Sequence, residues 1–147
     1  MADRRRMVVG ADVDAAIRRH GEQTYPHECC GFLIGRLVGD RKRVEEVRSA
    51  GNARDDSPRN RYLITPEEML HTERDARKAG QSILGFYHSH PDVPARPSQY
   101  DLEHAWPVYS FVIMSVRQGQ ATEMCSWVLE EDGARFEEEA IVVEEQP

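Results

Sequence analysis

The apolar positions of the chain fall into helical and strand-like stretches that alternate. Between Asp12 and about Thr24, the positions Val13, Ala16 and Ile17, with Tyr25 beyond them, predict a first helix closed off by Pro26. Cys29-Cys30-Gly31-Phe32-Leu33-Ile34-Gly35 follows as a strand-like run, with a turn at Gly39-Asp40 and a second run through Val44 and Val47, so this segment reads as a hairpin. Residues 50–60 hold Gly51, Asn52, Asp55, Asp56, Ser57, Pro58 and Asn60, an irregular polar loop of the kind that often borders a site, before a short strand at Tyr62-Leu63-Ile64.

Thr65-Pro66-Glu67-Glu68 has the chemistry of a helix start. Thr65 is placed to cap, Pro66 to occupy the first helical position, and Glu68 to complete a capping box. This helix is expected to run to Ala79 and stop at Gly80. Ser82 to His88 reads as a buried strand, after which Pro91, Pro94 and Pro97 impose a loop. Ser98 opens a short third helix that ends near Trp106-Pro107. Strands are expected at Tyr109–Val116, Met124–Glu130 and Arg135–Val143, joined by turns at Gln118-Gly119 and Asp132-Gly133. The elements together predict one α/β (mixed α+β) domain over residues 1–147, a mixed sheet flanked by about three helices, without an internal repeat.

Composition narrows the class. The 147 residues suffice for one real core, and 39% hydrophobic with 31% charged residues is ordinary for a soluble globular chain. No apolar run is long enough to span a bilayer. Arg4, Arg5 and Arg6 are followed only by Met7-Val8-Val9 before Gly10, so no signal peptide is expected and a cytoplasmic location is the default. The net charge of −7, with acidic residues thickening toward the C-terminus, repels a nucleic-acid backbone. Lys42 and Lys78 are the only lysines among many arginines, which says nothing about chemistry. Cys29, Cys30 and Cys125 are odd in number and lack C-x-x-C spacing; they read as small buried residues in a reducing compartment.

The chemistry is concentrated around two histidines. In His88-Ser89-His90, at a strand end, strand alternation puts both imidazoles on one face, where they can share an ion. A catalytic zinc takes three protein ligands and keeps one position open. Asp101 is the candidate third ligand, because Ser98 as N-cap places it in the first helical turn, facing back toward the strand. Glu28, just ahead of the first core strand, is brought to the open side if its strand pairs with that of His88, and can serve as general base. Ser98 can donate its hydroxyl to an oxyanion.

Glu28, His88-Ser89-His90-Pro91, Ser98 and Asp101 together resemble the motif of the JAMM (MPN-plus) metallopeptidases, E…H-S/T-H-P-x6-S-x-x-D. The resemblance extends through the order of elements from about Val8 to Val143. It implies a cytidine-deaminase-like fold, zinc on His88, His90 and Asp101, Glu28 as general acid and base, and Ser98 as oxyanion donor. It also implies cleavage of peptide or isopeptide bonds at the C-terminus of ubiquitin or ubiquitin-like proteins. The stretch between Asp101 and Tyr109 leaves no room for the second insertion with which eukaryotic deubiquitinases grip a distal ubiquitin. The resemblance therefore points to small bacterial members and a ubiquitin-like sulfur-carrier protein with a Gly-Gly end as substrate, its extended tail adding beside the loop after Tyr62.

Three other readings compete. A non-catalytic MPN-type scaffold would lack a ligand, and none is missing. A non-haem iron site would also use two histidines and a carboxylate but would not need Glu28. A zinc nucleoside deaminase, suggested by His27-Glu28, would need a P-C-x-x-C pair that is absent. His20, His27, His71 and His104 are expected to be surface or supporting residues, and Trp106 and Trp127 to pack at a core or sheet edge rather than serve as substrate platforms.

Overall fold

The structure is a computed structural model that describes residues 6–51, 64–103, 105–130, 133 and 135–145. Among these residues it contains seven strands and three helices: β1 (Arg6–Gly10), α1 (Ala11–Thr24), β2 (Cys30–Val38), β3 (Arg41–Ala50), α2 (Pro66–Lys78), β4 (Ser82–Pro91), α3 (Gln99–Glu103), β5 (Ser110–Arg117), β6 (Gln120–Leu129) and β7 (Phe136–Glu144). The expected strand at Tyr62-Leu63-Ile64, most of the loop over 50–60, His104 and Asp132 lie outside the described residues, apart from Ile64, Ala50 and Gly51.

The sheet is mixed, as its sequence pattern predicts, and it also closes on itself in the order β1-β3-β2-β4-β5-β6-β7. Closure depends on β1, which pairs in parallel with both β3 (Met7 opposite Lys42) and β7 (Met7 opposite Ile141). With both backbone edges used, no edge of the sheet is left open there. α1 contacts β1, β3, β4, β5, β6 and β7, so it lies in the concavity of the curled sheet. Val13 and Ile17 of α1 join Met7, Val9, Leu33, Val44, Tyr87 and Val112 in the main core. α2 covers the opposite face, where Ala76 packs with Phe32 and Ile34 of β2.

Local chemistry sets the ends of these elements. The Thr65 side chain accepts from the Glu68 N–H, the Glu68 side chain accepts from the Thr65 N–H, and Pro66 stands at the start of α2, so the capping box is complete. Gly80, with φ +75, stops α2 in a conformation that costs other residues more. The third helix is shorter than expected, ending at Glu103 rather than near Trp106-Pro107. β4 runs past His88 to Pro91, because Pro91 stands at its last position opposite Val116 and interrupts no interior ladder. No helix among the described residues is long and apolar enough to cross a membrane.

Candidate metal centre

β4 is the element on which the site is built. Its register against β2 shifts between Leu33 and Ile34, the extra residue on β4 falling at Leu84 between the partners Ile83 and Gly85. Downstream of that irregularity alternation is regular. Phe86, His88 and His90 share the α2 side, while Tyr87 and Ser89 face the α1 side. Tyr87 is buried in the main core and its hydroxyl lies 2.7 Å from His20 Nδ1. His20 is therefore a supporting residue, as expected.

The antiparallel pairing sets Cys30 opposite His88. One residue further, the Ser89 N–H donates to the Cys29 carbonyl at 3.1 Å, and the Cys29 N–H donates to Ser89 Oγ at 2.9 Å. Continuing that register brings Glu28 level with His90. Ser89 is fully buried and its hydroxyl laces the Glu28 segment to the histidine strand. Sequence reasoning assigned it no role, because alternation turns it away from the histidines. Ser89→Ala strands the Cys29 N–H in the interior and is expected to cost about 1–3 kcal/mol, read by denaturant unfolding; an unchanged midpoint would show that the bond is dispensable.

The loop after Pro91 returns the chain to α3, where Ser98 and Asp101 cap each other. The Ser98 N–H donates to Asp101 Oδ2 at 2.8 Å, and the Asp101 N–H donates to Ser98 Oγ at 3.1 Å. This reciprocal cap also aims the carboxylate at β4. His88 Nε2 lies 3.3 Å from Asp101 Oδ1, His90 Nε2 lies 3.4 Å from Asp101 Oδ2, and the two Nε2 atoms are 3.2 Å apart. All three residues are buried. The three expected metal ligands are thus brought together, and they form a group able to hold a metal ion.

Their spacing fits that use. Bonds of 2.0–2.1 Å to a tetrahedral ion place neighbouring donor atoms about 3.3–3.4 Å apart. Two imidazole lone pairs and a carboxylate converging at that separation in a buried position are better satisfied by a cation than by one shared proton. His90 Nδ1 is 2.9 Å from the Pro94 carbonyl, which holds its proton on Nδ1 and leaves Nε2 free as a ligand atom.

Electrostatics point the same way. Burial works against the Asp101 carboxylate, but hydrogen bonds from His88 and His90 outweigh it and hold its pKa well below the usual range. Burial pushes His88 down, toward the neutral form a ligand needs. Burial also opposes charge on His90, yet the contacts with Asp101 and Pro94 prevail and raise it. Glu28 is pushed up to about 7, chiefly by burial, with His90 drawing it down and Asp101 adding to the rise. His90 and Asp101 are thus both near enough to Glu28 to act on its charge. Cys29 and Cys30 are free and buried, with thiols pushed by burial to about 11 and about 12, so they are inert packing residues as expected.

Beside the ligands lies a cavity of about 460 Å³, lined by Met69 and Leu70 of α2, Phe86 of β4, Tyr100 of α3, Trp106 and Phe111. His88, His90 and Asp101 do not line it, but two of its walls are their neighbours: Phe86 is two positions before His88 on the same face, and Tyr100 adjoins Asp101 in the chain. Trp106 is 58% exposed at its rim, in place of the core or edge packing expected for it.

The family described as prokaryotic homologs of the JAB domain matches residues 10–130, and this chain belongs to it. The chain is similar to a desampylase of Haloferax volcanii, with 34% identity over 75% of this chain and 81% of that protein. It is also 36% identical, over 62% of this chain and 58% of the other, to a Thermus thermophilus protein described as a probable TtuB-protein conjugate cleaving protease. Among solved structures, a protein from Desulfitobacterium hafniense is similar with a TM-score of 0.82 and 34% identity, covering 95% of this chain and 94% of that one.

Proposed function

We propose that residues 1–147 form one metallopeptidase domain that uses zinc to hydrolyse the isopeptide or peptide bond at the C-terminal end of a ubiquitin-like sulfur-carrier protein. The observation that carries this reading is the buried convergence of His88, His90 and Asp101, with Cys29, the residue after Glu28, bonded to Ser89 between the two histidines. The protein is a hydrolase, and the substrate class follows its relatives, a desampylase and a conjugate-cleaving protease. Zinc is favoured over iron because Glu28 has no task in an oxygenase triad.

His88, His90 and Asp101 would hold the zinc, which when bound supplies Lewis acidity toward the scissile carbonyl and makes water a nucleophile at neutral pH. Glu28 takes the proton of the attacking water and returns it to the departing lysine or peptide amine. A carboxyl with a pKa near 7 is suited to both transfers at cellular pH. Ser98 Oγ accepts from the Asp101 N–H, which leaves the hydroxyl proton free to be donated to the developing oxyanion. Ser98 is exposed, so substrate can reach it.

The cavity lined by Phe86, Tyr100 and Trp106 receives the apolar part of the carrier, with its tail running past Ile64 and Thr65 toward the ligands. The net charge of −7 argues against nucleic-acid partners. Free Cys29, Cys30 and Cys125 suit a cytoplasmic location.

The test is incubation of the zinc-loaded protein with a Gly-Gly-ended carrier joined to a lysine side chain, followed by intact mass. Release of carrier ending in a free Gly-Gly carboxylate is expected, and an untouched conjugate defeats the proposal.

Metal affinity is expected to depend on pH in a definite direction. The pKa of His90 is raised, so in acid the metal-free protein holds a proton that the cation must displace. The zinc dissociation constant should therefore rise as pH falls, and the rise should begin at a higher pH than the titration of an ordinary histidine would give. Competition with a chromophoric chelator at several pH values checks this; a flat profile would show that His90 is not a ligand.

A further inference from the structure

The segment between His90 and Ser98 contains no helix or strand beyond Pro91, and the five-residue α3 that follows is too short to hold its own place. Asp101 nevertheless arrives beside the two imidazoles. Its approach is set by bonds to the loop backbone. Ser115 Oγ on β5 donates to the Val93 carbonyl at 2.6 Å. His90 Nδ1 meets the Pro94 carbonyl at 2.9 Å. Trp127 Nε1 on β6 donates to the Ala95 carbonyl at 3.1 Å, and the Ala95 N–H donates to Glu123 Oε1 of the same strand at 3.3 Å. Three consecutive carbonyls thus each receive a side-chain donor, from three different strands.

We infer that Trp127, which is not itself a ligand, is a positioning residue for the metal centre: its indole N–H pins the Ala95 carbonyl and so fixes where Asp101 and the Pro94 partner of His90 stand. The inference rests on the proposed metal-binding role of His88, His90 and Asp101. Ala95 is fully buried, so its carbonyl has no recourse to water if the indole is lost. The indole nitrogen can only donate, so this bond has one polarity and ties one loop position to a rigid ring on β6. Ala95 is also bonded to Pro94 in the chain. A displacement of Ala95 therefore shifts the adjoining Pro94 carbonyl that meets His90, and the same displacement is passed down the loop to α3. One donor thereby acts on two of the three ligands. Partners of this kind, which orient ligands without touching the metal, typically change affinity by about 10–100-fold.

The experiment compares wild-type protein with Trp127→Phe, which keeps an aromatic ring and deletes the donor. Zinc affinity is measured by chelator competition, the cobalt-substituted absorption spectrum is recorded, and melting temperatures are taken with and without zinc. The expected result is a dissociation constant raised about tenfold or more, an altered cobalt spectrum, and a larger loss of melting temperature in the zinc-saturated protein than in the metal-free one. Equal losses with and without zinc and an unchanged dissociation constant would overturn the inference, since a purely structural role moves both forms alike. If Trp127→Phe does not fold, site-specific benzothienylalanine at position 127, which keeps the bicyclic shape and lacks the N–H, gives the same two outcomes. Failure of wild type to bind zinc would instead overturn the metal-centre reading on which this rests.

Discussion

Glu28→Gln is expected to lower kcat for conjugate cleavage by about 10²–10⁴-fold while zinc stoichiometry and KM stay near their wild-type values. Glutamine has nearly the same shape but cannot take a proton from water, and it is not one of the three converging ligand residues. The bonds between Cys29 and Ser89 that place this segment involve backbone and serine atoms, and the substitution leaves them intact. The stability effect has the opposite sign to the activity effect. The pKa of the Glu28 carboxyl is raised in the folded protein to about 7, from the 4.5 of an unperturbed glutamate. Its ionisation therefore weakens folding progressively as pH rises between those values, and the full penalty is present above pH 7. At pH 8 the glutamine variant is expected to melt no lower than wild type, and slightly higher. The pH profile follows from the same group: kcat/KM should fall with acidification as Glu28 takes up a proton, with the limb at or below pH 7 because a nearby cation favours the carboxylate. A glutamine variant that retains wild-type kcat would remove Glu28 from the reaction.

The second large effect belongs to the ligands. His90→Ala deletes one of three donors and the Nδ1 contact with Pro94, so its zinc affinity should fall by more than the roughly 100-fold attributed to loss of a supporting partner alone. After zinc addition and desalting, elemental analysis should find about one zinc per wild-type chain and little in the variant. Asp101 remains paired with His88, so the metal-free variant should still fold. Circular dichroism separates loss of metal from loss of structure. Equal zinc content in the two proteins would place the metal elsewhere.

Much of this site can be read from the residues because its logic is local. Two histidines separated by one residue must share a face of a strand, and a serine three residues before an aspartate makes a reciprocal cap wherever a helix begins. The capping box of α2 is legible for the same reason. Glu28 needed one non-local assumption, pairing of its strand with β4, and antiparallel pairing of β2 with β4 supplies it. What the pattern does not carry is the closure of the sheet. Met7-Val8-Val9 is too short an apolar run to stand out as a strand, and β1 gains its place through parallel pairing with β3 and β7, partners distant in sequence. The shift in register at Leu84 is equally silent, since Ser82 to His88 is apolar on both faces and shows no break in alternation. Backbone carbonyls leave no trace in a sequence either, so the bonds from Ser115 and Trp127 to the loop could not be foreseen. Trp106 was misread because a large apolar residue predicts burial, whereas here it forms the rim of a cavity beside the ligands.

A zinc titration of cleavage decides whether this chain works as a metal-dependent isopeptidase. Metal-free protein, prepared by chelation, is given rising zinc, and release of Gly-Gly-ended carrier from a lysine conjugate is followed by mass at each step. Activity should be absent without metal, rise linearly and break at about one zinc per chain. Cleavage that persists in the fully chelated protein, or a conjugate left intact by protein carrying one zinc per chain, contradicts it.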